Sequence, residues 1–332
     1  LSDLGYAPIR DEASLQSSLK RQREAVFAEL ERFMPEKQLL DVFRIKYDYH
    51  NIKVLLKAPE GAERLLALCA NENMERSGVK EGKIELKAAC DGVFLVDSAR
   101  LVAVNSQDEV MIATRKGGTA VREGDKLAGM RVIPLIIEEE KLQRAETAAG
   151  KESLLALKPF VRKTACIVAT GSEVKKGLIQ DTFTPVVIDK LKTYGIETLE
   201  VVYSGDGVEN VRDAVLAMRG KKPDMILCTG GMSVDPDDNT PGGIRAAGAN
   251  IIAYGAPVLP GAMFLLGYFD DGTPVMGLPG CVMYAGATVF DLILPRVAAD
   301  VPVTRADIAA LGEGGLCLGC KPCRYPLCPF GK

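Results

Sequence analysis

The sequence predicts an α/β protein: a doubly wound, mainly parallel sheet, preceded by a small β-rich domain and an N-terminal helical segment. Three observations carry that expectation. From Thr164 onward, short apolar runs (ACIVAT, ETLEVVYS, DMILCT) alternate with helical stretches (FTPVVIDKLKTYG, VENVRDAVLAMRG), as buried strands joined by crossover helices do. Residues 81–137 instead show alternating runs broken by DG, KGG and EGD turns. Residues 1–58 carry apolar positions at three- and four-residue spacing. A chain of 332 residues is also longer than one core usually organises, so several domains are expected.

Taken in order, residues 1–58 read as a helical pair interrupted at Pro35. The stretch FRIKYDYHNIKVLLKA in this segment resembles the C-type stalk subunit of V-type rotary ATP synthases, which would make the chain a stalk fragment. The resemblance stops at Pro59, so residues 1–58 are expected to be separable from the rest of the chain. The chain opens on Leu1 rather than methionine, so its natural start is expected upstream. Residues 59–80 read as a connecting helix around ERLLALCANENM, and residues 81–140 as the small β-rich domain with strands in KIELKAA, GVFLVD, EVMIAT and RVIPLII. A charged linker helix over 141–163 leads to the α/β domain at 164–300, and a cysteine-rich tail closes the chain at 301–332.

Composition narrows the function classes. The net charge is −3 and no basic cluster stands out, which disfavours nucleic acid as a partner. Apolar runs such as MILC and AMFLLGYF fall far short of the ~20 residues of a membrane span. A cytoplasmic protein with small-molecule partners is expected. The single histidine, His50, excludes a Ser-His-Asp triad downstream of it. Five of the nine cysteines are scattered and read as core residues. The other four, Cys317, Cys320, Cys323 and Cys328, crowd the last sixteen residues at spacing C-x2-C-x2-C-x4-C. Such density in a reducing compartment points to a metal, either an iron-sulfur cluster or Zn2+.

In a doubly wound sheet, ligands bind beyond the carboxyl ends of the strands. Three loops fall there. The first, ATGSEVKKGLIQDTFTP, holds Thr170, Gly171, Ser172 and Asp181. The second, CTGGMSVDPDDNTP, holds Thr229, Gly230, Gly231, Ser233, Asp235, Asp237 and Asp238. The third, MGLPGCVMYAGATVF, holds Pro279 and Gly280. Adjacent glycines let backbone N–H groups approach an anion, but neither a P-loop nor a G-x-G-x-x-G sequence is present. The aspartates repel a bare phosphate and suit either Mg2+ or an N–H-rich heterocycle.

The arrangement of TGSE, TGGMS and LPG resembles the molybdopterin-binding domain family, which includes molybdopterin adenylyltransferase and molybdopterin molybdotransferase; over 61–332 it extends loosely to longer bacterial proteins with the β-rich part and cysteine tail. The resemblance implies the molybdopterin-binding fold and a role in molybdenum cofactor biosynthesis, through Mg2+-dependent adenylyl transfer or molybdate insertion. It implies molybdopterin as ligand, ATP or molybdate as co-substrate, a molybdoenzyme as recipient, and a homo-oligomer. Asp181 and Asp238 match the aspartates of the adenylyltransferase and would be catalytic; the Gly, Ser, Thr and Pro positions above would bind the pterin phosphate. One departure concerns molybdate insertion: VLPGAMFLLG places Ala262 where the molybdotransferase usually has lysine. A non-catalytic cofactor carrier or sensor is the alternative.

Overall fold

The computed structural model describes residues 21, 24–30, 32, 60–134, 137–233 and 238–332. Residues 24–30 are helical; the rest of the expected helical pair, His50 and the FRIKYDYHNIKVLLKA stretch lie outside the described residues. No helix among the described residues is long and apolar enough to cross a membrane.

The small domain is a helix over residues 60–69 packed on two antiparallel sheets. One has strands β1 (Met74–Arg76), β2 (Lys83–Ala88), β6 (Lys126–Val132) and β4 (Val110–Thr114) in that spatial order. The other places β3 (Gly92–Val96) between β5 (Thr119–Val121) and β7 (Leu155–Pro159). Their shared core holds Leu65, Ile84, Leu86, Phe94, Ile112, Met130 and Leu155, all essentially inaccessible to water. Alternate inward residues of each strand build it, as a one-sided sheet requires.

Four expectations change here. The connecting helix covers 60–69 rather than 59–80: Asn73 turns the chain at φ 66, and Met74–Arg76 pairs with β2 as a strand. The linker helix is Glu139–Ala149, not 141–163: Gly150 ends it at φ 72, and Leu155–Pro159 becomes a strand against β3. The sixth strand is Lys126–Val132, ending before Pro134 rather than running through RVIPLII. A helix absent from the sequence reading spans Ser98–Asn105, opened by Asp97, whose carboxylate accepts the Arg100 N–H at 3.0 Å.

The α/β domain carries a six-stranded sheet in the order β11 (Asn250–Tyr254), β12 (Leu265–Tyr268), β13 (Pro274–Leu278), β10 (Met225–Thr229), β8 (Thr164–Thr170), β9 (Glu197–Ser204). Strands β13, β10, β8 and β9 are mutually parallel; β12 is antiparallel to both its neighbours. The sheet is doubly wound. Ala165, Ile167, Met225 and Leu227 face helices Phe183–Lys192 and Val289–Ala298 through Val187, Leu191, Phe290 and Ile293. Cys166, Val168, Ile226 and Cys228 point the other way, onto Val211, Val215 and Ile244 of helices Val208–Arg219 and Thr240–Ala246. Period-two burial on both faces explains why these strands read as unbroken apolar runs. Cys69, Cys166 and Cys228 are core residues as expected, and burial pushes the Cys228 thiol up to about 12. Cys90 and Cys281 are only partly buried.

Candidate functional site

Parallel pairing brings the carboxyl ends of β8, β9, β10 and β13 to one edge, so the loops after them meet there. Their floor is a pair of buried hydroxyls. Thr170 Oγ1 donates to the Thr229 carbonyl at 2.9 Å, and Thr240 Oγ1 donates to the Gly230 carbonyl at 2.9 Å. The two hydroxyls lie 3.2 Å apart, tying the ends of β8 and β10 to the start of helix Thr240–Ala246. The Thr170 hydroxyl is therefore bonded inside the protein, and Thr229 is buried at 2% exposure. These two residues shape the floor rather than reach past it.

The floor explains the adjacent glycines. Gly230 has φ 80, and a Cβ on it would lie 2.3 Å from the Thr170 carbonyl oxygen; on Gly231, φ 56, it would lie 2.6 Å from Thr240 Oγ1. Side chains are excluded at both places. A Cβ on Gly280 would meet nothing within 4 Å, so the third loop is open there; Pro279 precedes its short helix Gly280–Met283.

Three aspartates at this edge, Asp181, Asp238 and Asp206, each accept an amide of these loops. Asp181 Oδ1 accepts the N–H groups of Phe183 and Thr184 at 2.9 and 3.0 Å, capping helix Phe183–Lys192. Asp238 Oδ2 accepts the Ser233 N–H at 2.7 Å, closing the second loop. Asp235 and Asp237 lie outside the described residues. Asp206, in the SGDG loop after β9, accepts the Ser172 N–H at 3.0 Å, while its own N–H donates to Ser172 Oγ at 3.3 Å. A hydrogen bond from the Ser172 hydroxyl to the Asp206 carboxylate, first, and one from the Ser172 amide, second, hold that carboxyl below the usual range. Ser172 N–H thus already has an anionic partner.

Sequence reasoning missed Asp206. Its only signal was an acid between two glycines at a strand end.

Asp181 differs from the other two in its second oxygen. Oδ2 is shut off from water and meets no donor in good hydrogen-bond geometry among the described residues; the neighbouring Thr184 Oγ1 is orphaned in the same way. A buried carboxylate oxygen without a donor costs on the order of 1–3 kcal/mol, which a ligand donor or cation would offset. Tyr203 of β9 stands beside the Asp181 carboxylate: burial pushes that phenol up, and the Asp181 charge and a long hydrogen bond to that carboxylate add to the rise. The first and third loops are joined by Thr182 Oγ1, 3.0 Å from Met283 Sδ. Arg245, in the last turn of helix Thr240–Ala246, and Ala262 are both exposed.

Among the described residues no three His, Cys, Asp or Glu side chains stand close enough to hold a metal. The Asp181 carboxylate is the group at this edge that could offer a magnesium ion an oxygen ligand.

Comparison with known proteins adds a family match over this domain. Residues 166–299 match the family model described as "Probable molybdopterin binding domain". A "CinA-like protein" of Mycobacterium marinum is 32% identical over 80 residues, 24% of this chain and 19% of the relative. One of Mycolicibacterium vanbaalenii is 33% identical over 76 residues, 23% of this chain and 18% of the relative. The matched part thus spans less than a fifth of these relatives' length. Among solved structures, the "Molybdopterin biosynthesis Mog protein" of Mycobacterium ulcerans aligns at 20% identity and TM-score 0.36, over 42% of this chain and 99% of that one.

Proposed function

We propose that residues 164–300 bind a molybdopterin-type phosphorylated pterin at the loops after β8, β10 and β13, and that the chain acts in molybdenum cofactor biosynthesis. The observation that carries this reading is the buried Asp181 Oδ2 without a well-placed donor among the described residues, at the same sheet edge as a second loop whose glycines admit no side chain. The family match over 166–299 supports it. Gly230 and Gly231, both at positive φ and closed to side chains, leave the backbone N–H groups of this loop free of side-chain cover for the pterin phosphate to approach. Asp181 Oδ2 takes an N–H of the heterocycle or a magnesium ion; that ion, when bound, supplies positive charge between carboxylate and phosphate.

Within that reading we favour adenylyl transfer over molybdate insertion. Asp238 follows the two glycines at the adenylyltransferase spacing, whereas Ala262 offers no cation for molybdate. Phosphoryl chemistry of this kind rests on positioning and charge, with no covalent nucleophile required. The test is to measure pterin affinity and ATP-dependent product formation side by side. Asp238→Asn keeps an oxygen for the Ser233 N–H, so folding should hold while turnover falls more than about tenfold, roughly 1.4 kcal/mol of transition-state stabilisation. Unchanged turnover removes Asp238 from the chemistry. Pterin binding with no ATP consumption in the parent protein establishes a carrier instead, and absence of pterin binding ends the proposal.

The described site lies wholly within residues 164–300. A chain lacking residues 1–58 is therefore expected to bind the pterin with parental affinity, and loss of binding in a folded truncation would contradict that.

A further inference from the structure

After helix Arg305–Ala310 the chain forms no further helix or strand, only an isolated parallel bridge between Leu259 and Leu316. It is nonetheless fastened at both ends. Leu259 N–H donates to the Gly315 carbonyl and Cys317 N–H to the Leu259 carbonyl, each at 2.8 Å. Tyr325 donates its hydroxyl to the Asp291 carbonyl at 3.0 Å, its ring meets Phe330 edge-on, and Phe330 is buried. Between those anchors lie four thiols, none in a disulfide: Cys317 and Cys328 are half-buried against the core, and Cys320 and Cys323 are exposed.

Charge singles out this segment too. From Gly314 to Lys332 there is no acidic residue, while Lys321 and Arg324 bracket Cys323 and make no ion pair with a described residue. Four thiolates around a dication leave a net negative charge, which those two side chains offset. The part between the anchors, residues 318–324, has no regular secondary structure, and a bound metal is a common way to order such a stretch.

We propose that Cys317, Cys320, Cys323 and Cys328 bind one thiophilic metal centre, and that loading it repositions the loop 279–288 at the rim of the candidate site. The thiols do not stand together among the described residues, so binding draws the exposed pair inward. Gly319, at φ 67 between the first two cysteines, gives that turn its freedom. Each thiol releases its proton to solvent as it ligates. Cys323 cannot shift alone, because it rests on the third loop: a Cβ on Gly286 would lie 2.7 Å from Cys323 Cβ and 2.8 Å from its Sγ. Gly286 in turn accepts from Lys190 Nζ at 3.4 Å, and Met283 of the same loop touches Thr182, next to Asp181. This inference stands whether or not the ligand is a pterin.

The test uses the full chain, purified without oxygen, stripped with a chelator and titrated with Zn2+. One zinc per chain is expected. Iodoacetamide labelling of Cys317, Cys320, Cys323 and Cys328, read by peptide mass spectrometry, should fall at least about tenfold, with Cys90, outside the tail and the third loop, unchanged. Brown protein containing iron and sulfide identifies a cluster as the native centre; colourless protein containing zinc identifies the ion. Labelling that saturating zinc leaves unaltered, or a Cys320→Ser variant that holds zinc as tightly as the parent, overturns the site. Gly286→Ala adds a methyl where Cys323 rests and should weaken zinc binding about tenfold, the size of effect typical for groups that orient metal ligands. Unchanged affinity in that variant overturns the link to the third loop.

Discussion

Gly230→Ala is expected to lower the unfolding free energy by on the order of 3 kcal/mol and to remove ligand binding with it. The backbone at this position has φ 80, where a side chain costs about 1–2 kcal/mol. The added methyl would also sit 2.3 Å from the Thr170 carbonyl oxygen and 2.8 Å from Thr170 Oγ1. Thr170 is the last residue of β8, a strand paired on both sides, so its carbonyl cannot retreat without breaking the sheet. The turn must open instead, and with it the amides that would face an anion. Gly231→Ala should be milder on stability, because its methyl meets the Thr240 hydroxyl, a side chain that can rotate at the loss of one hydrogen bond. Gly280→Ala is the control: nothing lies within 4 Å, so its stability should stay within about 0.5 kcal/mol of the parent. Urea unfolding of the three variants decides the matter. A Gly230→Ala protein as stable as Gly280→Ala would mean that the second loop is not packed against β8.

The edge where these loops meet was legible because β8, β10 and β13 are buried on both faces and read as unbroken apolar runs, whatever the loops after them do. The doubly wound, mainly parallel sheet follows from that pattern and is the one found. Helix Ser98–Asn105 was not legible: its sequence, SARLVAVN, has two β-branched valines and sits within a run of strand-like segments. Leu155–Pro159 was misread because LLAL continues the apolar spacing of the helix before it, and only the left-handed Gly150 marks the break. At the site, the positions of Asp181 and Asp238 could be read from motif spacing, but their amide partners could not. Both bonds are local, within five residues, and any Asp in a tight loop could make them or leave them unmade. Asp206 was invisible for a related reason. It acts on Ser172 across two strands, and that pairing exists only once β8 and β9 lie side by side.

Asp181→Asn is expected to lower ligand affinity by more than tenfold, about 1.4 kcal/mol, while leaving the fold intact. The two oxygens of Asp181 have separate roles. Oδ1 caps helix Phe183–Lys192 through the Phe183 and Thr184 amides, and asparagine caps as well as aspartate does, so stability should change by less than about 1 kcal/mol. Oδ2 is the buried oxygen without a well-placed donor, and in the variant an NH2 group takes its place. A ligand N–H or a magnesium ion would then meet a donor instead of an acceptor, losing its bond and gaining repulsion. Asp181→Ala should lose both roles, with about 1 kcal/mol less stability added to the binding defect. Tyr203 supplies a readout that needs no ligand. Its phenol is held up by burial first and by the Asp181 charge second, so neutralising Asp181 should bring its ionisation to lower pH, visible as tyrosinate absorbance in an alkaline titration. If that shift occurs and ligand affinity is unchanged, Asp181 is a helix cap and nothing more. If affinity falls, combining Asp181→Asn with Asp238→Asn tells whether the two loops hold one group: a loss smaller than the sum of the single losses places both carboxylates on the same ion or ligand, and full additivity places them on different ones.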